Sequence, residues 1–351
     1  MKEINVAVIG ATGIVGMQAL RILEERGLNI KTIYPFASGA SAGNIINFGK
    51  HTFTVEELCD TSFEGKDIDF ALFCASNDIS AKFVPIAAAK GIICIDNSSH
   101  FRADPTVPLV VPEVNAHALK AHKNIIANPN CTTVQAVMLL APLHKKYGLK
   151  RVIVTTFQAV SGAGKEGIID LTEGYARLSW QTSRIKDALT DPNHVMNPLN
   201  ILSPVHQYPL KAMPTYIAGN LIPAVGDIDE EGYSSEERKI VNESRKILEL
   251  SELSITATCV RVPVINGHSE SLNIELEKDF EIKDVIKTLE QAEGVALDDR
   301  PMPMKVNLKD PVFVGRVRRD NSANGVNLFS VTDNIRKGAA LNAVQILEVL
   351  L

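Results

Sequence analysis

Two hydrophobic periods run along this chain, and the order in which they appear predicts its architecture. Ile4 to Gly10, INVAVIG, is a short apolar run rich in β-branched residues and predicts a strand. Apolar residues then recur at Val15, Ala19, Leu20, Ile22 and Leu23, the spacing of one helix face, and Gly27 closes that helix. Further strands are predicted at Lys31–Phe36, Ile68–Cys74 and Gly91–Asp96, with a helix over Ser80–Lys90. Strand and helix in alternation build a parallel, doubly wound sheet.

From Arg151 the pattern changes. RVIVTTFQAVSGAG predicts a strand ending in a Ser-Gly-Ala-Gly turn, followed by a helix over roughly Lys165–Ser179. Residues 181–225, rich in Pro, Asn and His, predict a long irregular excursion. Residues 234–250 predict a helix with Ser at its start and acid early in it, a capping pattern. SITATCVRVPV and SESLNIELEK alternate as half-buried strands do in a mixed sheet covered on one face. IKDVIKTLEQAEG and the terminal TDNIRKGAALNAVQILEVLL predict two more helices. No internal repeat or low-complexity segment interrupts this order.

The length of 351 residues suits two domains. With 45% apolar and 22% charged residues, the chain can bury a large core. A formal charge of −5 without any basic block argues against nucleic acid or a membrane surface as partner. The N-terminus enters a strand without a signal-peptide pattern, and no apolar run reaches the length of a membrane span. The five cysteines, Cys59, Cys74, Cys94, Cys131 and Cys259, are odd in number and widely spaced. They suit a reducing cytoplasm rather than a disulfide framework. Cys74, Cys94 and Cys259 read as small buried core residues, and Cys59 as part of a helix. The eight histidines form no metal-binding pair, so no metal site is expected.

Chemistry enters at two places. Gly10, Gly13 and Gly16 follow the first strand and open its helix, in GATGIVG. Glycines there let the backbone approach a pyrophosphate, and the helix N-terminus offers free N–H groups. The turn, with Thr12, Ile14 and Val15, reads as a dinucleotide site. The second place is ANPNCTTVQAVMLLAPL, residues 127–143. Pro129 biases Asn128 away from helix and Asn130 is a good N-cap, so Cys131 falls in a first helical turn. A helix N-terminus stabilises anions, so the thiol pKa is expected below its free value of about 8.5. Backbone N–H groups beside it can hold an oxyanion. A dinucleotide next to such a thiol suggests thiolate addition to an aldehyde, hydride loss to nicotinamide, and a thioester. The alternative is that Cys131 is one more buried small residue.

Across its whole length the chain resembles the aspartate-β-semialdehyde dehydrogenase family. The matching segments are VAVIGATGIVG, DNSSHFR, VPLVVPEVN, PNCTT, FQAVSGAG, CVRVPVINGHSES and DNIRKGAALNAVQI. The resemblance implies a Rossmann-type NADP-binding domain over 1–130 and an α+β catalytic and dimerisation domain with a mixed sheet over 131–334. The last helix, 335–351, would return to the first domain, and two chains would pair as a homodimer. The implied reaction is reversible, phosphorylating oxidation of L-aspartate 4-semialdehyde to 4-phospho-L-aspartate, serving lysine, threonine and methionine synthesis.

The resemblance also implies roles. Cys131 would carry the acyl group, His268 would be its acid/base partner, and Gln158 would orient the substrate. Arg261 would pair with the substrate carboxylate. An Arg inside an apolar strand is costly unless paired, and its planar fork matches a carboxylate. Glu236 would meet the substrate amino group, while Arg102, Lys239 and Asn130 would hold inorganic phosphate. Without the family, Glu236 and Lys239 read as a solvated ion pair three residues apart on one helix face. Ser161, Gly162 and Asn334 would touch the cofactor.

Nucleotide choice is read from the end of the second strand, where NAD-binding units place an acid for the ribose 2′-OH. No Asp or Glu occurs between Glu25 and Glu56, so nothing there is expected to repel a 2′-phosphate. Many relatives place an Arg where this chain has Ala40. Ser38, Ser41 and backbone N–H groups are left to hold the phosphate, which predicts a reduced NADP preference. Two rivals remain. One is a related reductase of an acyl phosphate such as N-acetylglutamyl phosphate. The other is a non-catalytic dinucleotide sensor, which would not need Cys131 and His268 together.

Overall fold

The computed structural model describes residues 3–190 and 209–351. The first apolar run forms β1 (Ile4–Ile9), buried at every position. A strand with two apolar faces belongs inside a sheet covered on both sides. β2 (Ile30–Ala37) lies beside it, and β3 (Ile45–Phe48) with β4 (His51–Thr54) makes a separate antiparallel hairpin. β5 (Glu56–Glu57), β6 (Phe70–Phe73), β7 (Ile93–Asp96) and β8 (Ile125–Ala127) complete a six-stranded parallel sheet in the order β5-β2-β1-β6-β7-β8. α1 (Ile14–Glu25) packs Ala19, Leu20, Ile22 and Leu23 on one face, against Val6, Val8 and Leu72. α2 (Asn77–Ala89) packs Phe83, Val84 and Ala87 on the other, against Ala7, Ile9 and Phe73.

A short α3 (Pro112–Asn115) precedes the long apolar α4 (Cys131–Tyr147). The second sheet follows, built from β9 (Leu149–Gln158), β10 (Ser254–Arg261), β11 (His268–Leu276), β12 (Val295–Leu297), β13 (Val312–Asp320) and β14 (Gly325–Thr332). Its order is β10-β9-β11-β14-β13-β12, and it is mixed. β9 runs parallel to β10 but antiparallel to β11. α5 (Gly164–Thr190) and α6 (Ser235–Leu248) lie between β9 and β10 in the chain, and α7 (Ile282–Glu290) and α8 (Pro303–Val306) follow β11. α4, α6 and α7 share one core with the inner face of this sheet, through Val137, Leu140, Ile240, Val285, Val154, Leu272 and Leu328. On the outer face Ile153, Thr155, Phe157, Ser271, Asn273 and Phe329 stay half-buried. The final α9 (Leu341–Leu350) packs beside α1 on the first sheet, with Leu341, Val344 and Leu347 in that core.

The structure corrects four local expectations. α5 runs on to Thr190, so 181–190 is helical rather than irregular. No Gly or Pro stands between Gly174 and Pro192, so nothing stops the helix earlier. Residues 209–225 are irregular as expected, and 191–208 lies outside the described residues. Cys59 is exposed in a turn after β5, where its N–H donates to Ser62 Oγ at 2.7 Å. Turn-forming Asp60, Thr61 and Ser62 end any helix there. Cys94 and Cys259 are buried as expected, whereas Cys74 lies just past β6 and is only half-buried. The terminal helix begins late. A π-helical turn over Arg336–Ala340 precedes α9, and such bulges collect at functional sites.

Candidate active site

Where the parallel sheet meets α4 and the second sheet, a cavity of about 760 Å³ opens. Cys131 stands on its wall as the first residue of α4. Asn130 caps that helix, its Oδ1 accepting from the N–H of Thr132 at 3.0 Å and of Thr133 at 3.4 Å. The N-cap reading is therefore correct, and the pKa expectation is not. Burial pushes the Cys131 thiol up to about 12, with the Glu236 carboxylate adding to it. The charges of Arg102, Arg261 and Lys239 pull the other way and do not prevail. A helix end acts over one turn, whereas desolvation acts on the whole thiolate. Burial therefore favours the thiol form of Cys131.

α6, the Arg102 segment and the ends of three strands surround the site. α6 begins with the predicted capping box between Ser234 and Glu237. That sets Glu236, Lys239 and Glu243 at i, i+3 and i+7 on the face toward α4. Glu236 is not half of a solvated pair. It is buried, 3.1 Å from Lys239 Nζ, and accepts from Asn130 Nδ2 at 2.9 Å and Gln158 Nε2 at 3.0 Å. Burial alone would raise its pKa, but the Lys239 charge and these donors hold the carboxyl below its usual value. Lys239 stays partly open to the cavity. Arg102 lines the cavity too, donating to Glu243 at 3.1 Å and to the Asn97 carbonyl at 2.7 Å. Its buried Nε has no partner among the described residues.

The ends of β9, β10 and β11 supply the rest. Gln158, the last residue of β9, is oriented by accepting from Thr156 Oγ1 at 3.1 Å while donating to Glu236. Arg261 ends β10, and its Nη1 donates to the Ala159 carbonyl at 2.7 Å. His268 opens β11, fully buried. Its Nδ1 accepts from the Ala159 N–H at 3.0 Å, so the ring proton sits on Nε2. Nε2 has no partner among the described residues. Burial, with the Arg261 charge adding, holds the imidazole pKa down to about 3, so the ring is neutral. Gly162 lies against both groups. A Cβ on it would stand 3.1 Å from Arg261 Nη1 and 3.1 Å from His268 Nε2. Gly338, in the π-helical turn, lies as close to the nucleophile, its Cβ position being 2.8 Å from Cys131 Cβ. A side chain at either glycine would occupy the space of a reacting group.

At the other end of the cavity lies the glycine turn. Gly10 has φ +79°, and a Cβ there would come within 2.4 Å of the Cys74 carbonyl oxygen. Gly13 precedes α1 without capping it by a side chain, which leaves the first-turn N–H groups to a ligand. Gly13, Ile14 and Val15 line the cavity. So do Ser161, Gly162 and Asn334. Asn334 also ties the loops together, its Nδ2 donating to Ser161 Oγ at 2.9 Å and its Oδ1 accepting from the Gly267 N–H at 2.9 Å. Thr12 joins the glycine turn to Ser41, with their hydroxyls 3.2 Å apart. Ser38, Ala40 and Ser41 belong to a turn outside the main cavity, at the end of β2. One expectation fails at that turn. It is not free of acid, because β5 pairs with β2 and brings Glu57 beside Gly39.

Sequence reasoning missed Glu243, which joins two parts of the site. One oxygen takes Arg102 and the other accepts from the Asn130 N–H at 2.7 Å. Its i+7 spacing from Glu236 was the available signal. It also missed Asn97, Asn128 and Gly338, which carry no local mark of a site.

A glycine-turned helix start that can take a pyrophosphate, sharing one cavity with a cysteine and the cations Arg102, Arg261 and Lys239, with a neutral imidazole buried against Gly162 of its wall, defines a dinucleotide-linked aldehyde dehydrogenase. Known proteins agree. Residues 5–122 match the family model described as semialdehyde dehydrogenase, NAD binding domain, and 140–337 match semialdehyde dehydrogenase, dimerisation domain. The aspartate-semialdehyde dehydrogenase of Bacillus subtilis is 42% identical over 360 residues, covering 99% of this chain and 98% of its own. That of Aquifex aeolicus is 42% identical, covering 99% and 97%. The crystal structure of aspartate semialdehyde dehydrogenase II from Vibrio cholerae, complexed with ASA, is 40% identical and superposes with a TM-score of 0.89, covering 100% and 98%. The chain belongs to the aspartate-semialdehyde dehydrogenase family.

Proposed function

We propose that this chain catalyses the reversible phosphorylating oxidation of L-aspartate 4-semialdehyde to 4-phospho-L-aspartate with NADP, within lysine, threonine and methionine biosynthesis. The observation that carries the reading is the shared cavity. It sets Cys131 among Arg261, Glu236, Lys239 and Arg102, with the α1 N-terminus at its far end. An α-amino acid with an aldehyde side chain needs these groups: a cation for its carboxylate, an anion for its ammonium, and a nucleophile at the carbonyl.

A bound dinucleotide would supply the hydride acceptor, and the glycine turn with the first-turn N–H groups of α1 would hold its pyrophosphate. Every other part comes from the chain. Arg261 takes the substrate carboxylate with the guanidinium N–H groups that Ala159 leaves open. Glu236 takes the ammonium, held ionised by Lys239. The Cys131 thiol loses its proton to solvent as Sγ bonds to the aldehyde carbon, and the carbonyl oxygen, taking the π electrons as an oxyanion, accepts from His268 Nε2–H. As the carbon loses hydride the C–O double bond re-forms and leaves a thioester on Cys131. Hydrogen phosphate beside Lys239 and Arg102 then bonds to the acyl carbon, the C–S bond breaks, and the proton that phosphate gives up returns Cys131 to the thiol. Asn130 and Gln158 keep Glu236 in place throughout.

The same reading makes 1–130 the nucleotide domain, joined by 335–351, and 131–334 the catalytic domain. It pairs two chains through the outer face of the second sheet, where Phe157 and Phe329 lie half-buried. It also assigns the enzyme to the cytoplasm. In support, the five cysteines are all unpaired, and among the described residues no helix is long and apolar enough to cross a membrane. A steady-state assay with aspartate semialdehyde, phosphate and NADP tests the activity. Phosphate-dependent NADPH formation is expected. No turnover, or turnover with N-acetylglutamate semialdehyde instead, would refute it.

A further inference from the structure

We propose that Glu57 sets the nucleotide choice of this chain: its carboxylate stands at the end of β2, where the adenosine ribose arrives, and opposes a 2′-phosphate there. The inference rests on the dinucleotide reading above and concerns which dinucleotide is held.

In a doubly wound sheet the first glycine turn holds the pyrophosphate, and the ribose beyond it reaches the C-terminal end of the second strand. The two places are joined here, since Thr12 of the glycine turn contacts Ser41 at 3.2 Å. No acid is encoded in that strand end. One is delivered from its neighbour. β5 pairs in parallel with β2, with Glu57 opposite Ala37. Its side chain turns over the 38–41 turn, so that Oε1 lies 2.7 Å, and Cδ 3.1 Å, from where a Cβ on Gly39 would stand. The carboxylate fills the space that a side chain at 39 would need.

Glu57 is exposed and makes no side-chain hydrogen bond or ion pair with the described residues, whereas adjacent Glu56 is paired with Lys66 at 3.0 Å. The turn beside it reads Ser-Gly-Ala-Ser-Ala-Gly over 38–43 and holds no cation. An unpaired carboxylate accepts hydrogen bonds from a ribose 2′-OH. Against a 2′-phosphate it is a like charge, opposed only by the neutral donors Ser38 and Ser41. The two effects narrow the gap between NADP and NAD, so the chain binds both.

The test is equilibrium binding to the intact enzyme, by calorimetry or nicotinamide fluorescence. The ligands are NADPH, NADH, adenosine 2′,5′-bisphosphate and 5′-AMP, and the proteins are wild type, Glu57→Gln and Ala40→Arg. Removing one charge near the 2′ position is expected to tighten NADPH and the bisphosphate by about tenfold relative to NADH and AMP. Ala40→Arg, which sets a cation beside the same carboxylate, should move the ratio the same way. Wild-type Kd values for NADPH and NADH should lie within about a hundredfold of each other. An unchanged ratio in Glu57→Gln, with both nucleotides still binding, overturns the role of Glu57 alone. Failure of wild type to bind either dinucleotide overturns the underlying reading and this inference with it.

Discussion

Gly162→Ala separates the packing of the site from the stability of the fold. Gly162 lies in the short 3-10 turn Val160–Ala163, outside the positive-φ region, so its backbone accepts alanine. The new Cβ would meet Arg261 Nη1 at 3.1 Å and His268 Nε2 at 3.1 Å, and no backbone atom is nearer. Ordinary contact distances are about 3.5–4.0 Å, so the two groups must retreat by roughly half an ångström. Overpacking of this size costs about 1–3 kcal/mol, and alanine returns up to about 1 kcal/mol over glycine in a helical turn. The melting temperature should therefore fall by only a few degrees. Catalysis should suffer more. The displaced guanidinium is to hold the substrate carboxylate, and the displaced imidazole the reacting oxygen. A misplacement of about 1 Å costs about a hundredfold in rate, so half of that on two groups predicts a ten- to hundredfold loss in kcat/KM. Initial rates of NADPH formation and a thermal melt measure both. A kcat/KM within about twofold of wild type would show that neither group needs its observed place.

Cys131→Ala should abolish turnover at a stability cost of no more than a few kcal/mol, since it removes one small side chain. Activity above about a tenth of wild type would exclude the thioester, because covalent catalysis leaves no substitute group. Arg261→Lys should raise KM for the semialdehyde far more than for NADP, as the planar fork is lost while the charge stays. Equal changes in both would make Arg261 structural. Lys239→Ala should raise KM for phosphate by about ten- to hundredfold, one charge-assisted contact being worth roughly 1.5–3 kcal/mol. Unmoved phosphate kinetics would leave Lys239 as support for Glu236 only. Glu270→Gln tests a buried group. Burial pushes this carboxyl well above its usual value, and among the described residues neither oxygen has a partner. Burial favours its protonated form in the fold, while the unfolded chain ionises it above about 4.5. Its contribution is complete below that pH and is lost as pH rises, at up to about 1.4 kcal/mol per unit. The Gln variant stays neutral, so its advantage in denaturant melts should grow with pH, and a constant difference would refute the assignment.

Much of this protein is written in short windows of sequence. The strand at Ile4, the glycine turn, the Asn130 cap and the capping box at Ser234 each depend on residues within a few positions of one another. Backbone sterics and first-turn hydrogen bonds act over that same range. The family motifs are local in the same sense, which is why Cys131, His268, Arg261 and Gln158 could be named before they were seen together. What was misjudged depends on distance through space. The Cys131 thiol was expected to be acidic from its helix position, but the shell packed around it decides its pKa. The tautomer of His268 is set by the N–H of Ala159, 109 residues away. Glu57 lies outside the window in which an acid is sought, and strand pairing alone brings it to the turn at Gly39. Glu236 and Lys239 look like a surface pair along their helix, but α4 and β9 close over Glu236 and leave only Lys239 partly open to the cavity. Desolvation and Coulomb energy depend on which atoms surround a group, and sequence spacing specifies that only within a helical turn or along one strand.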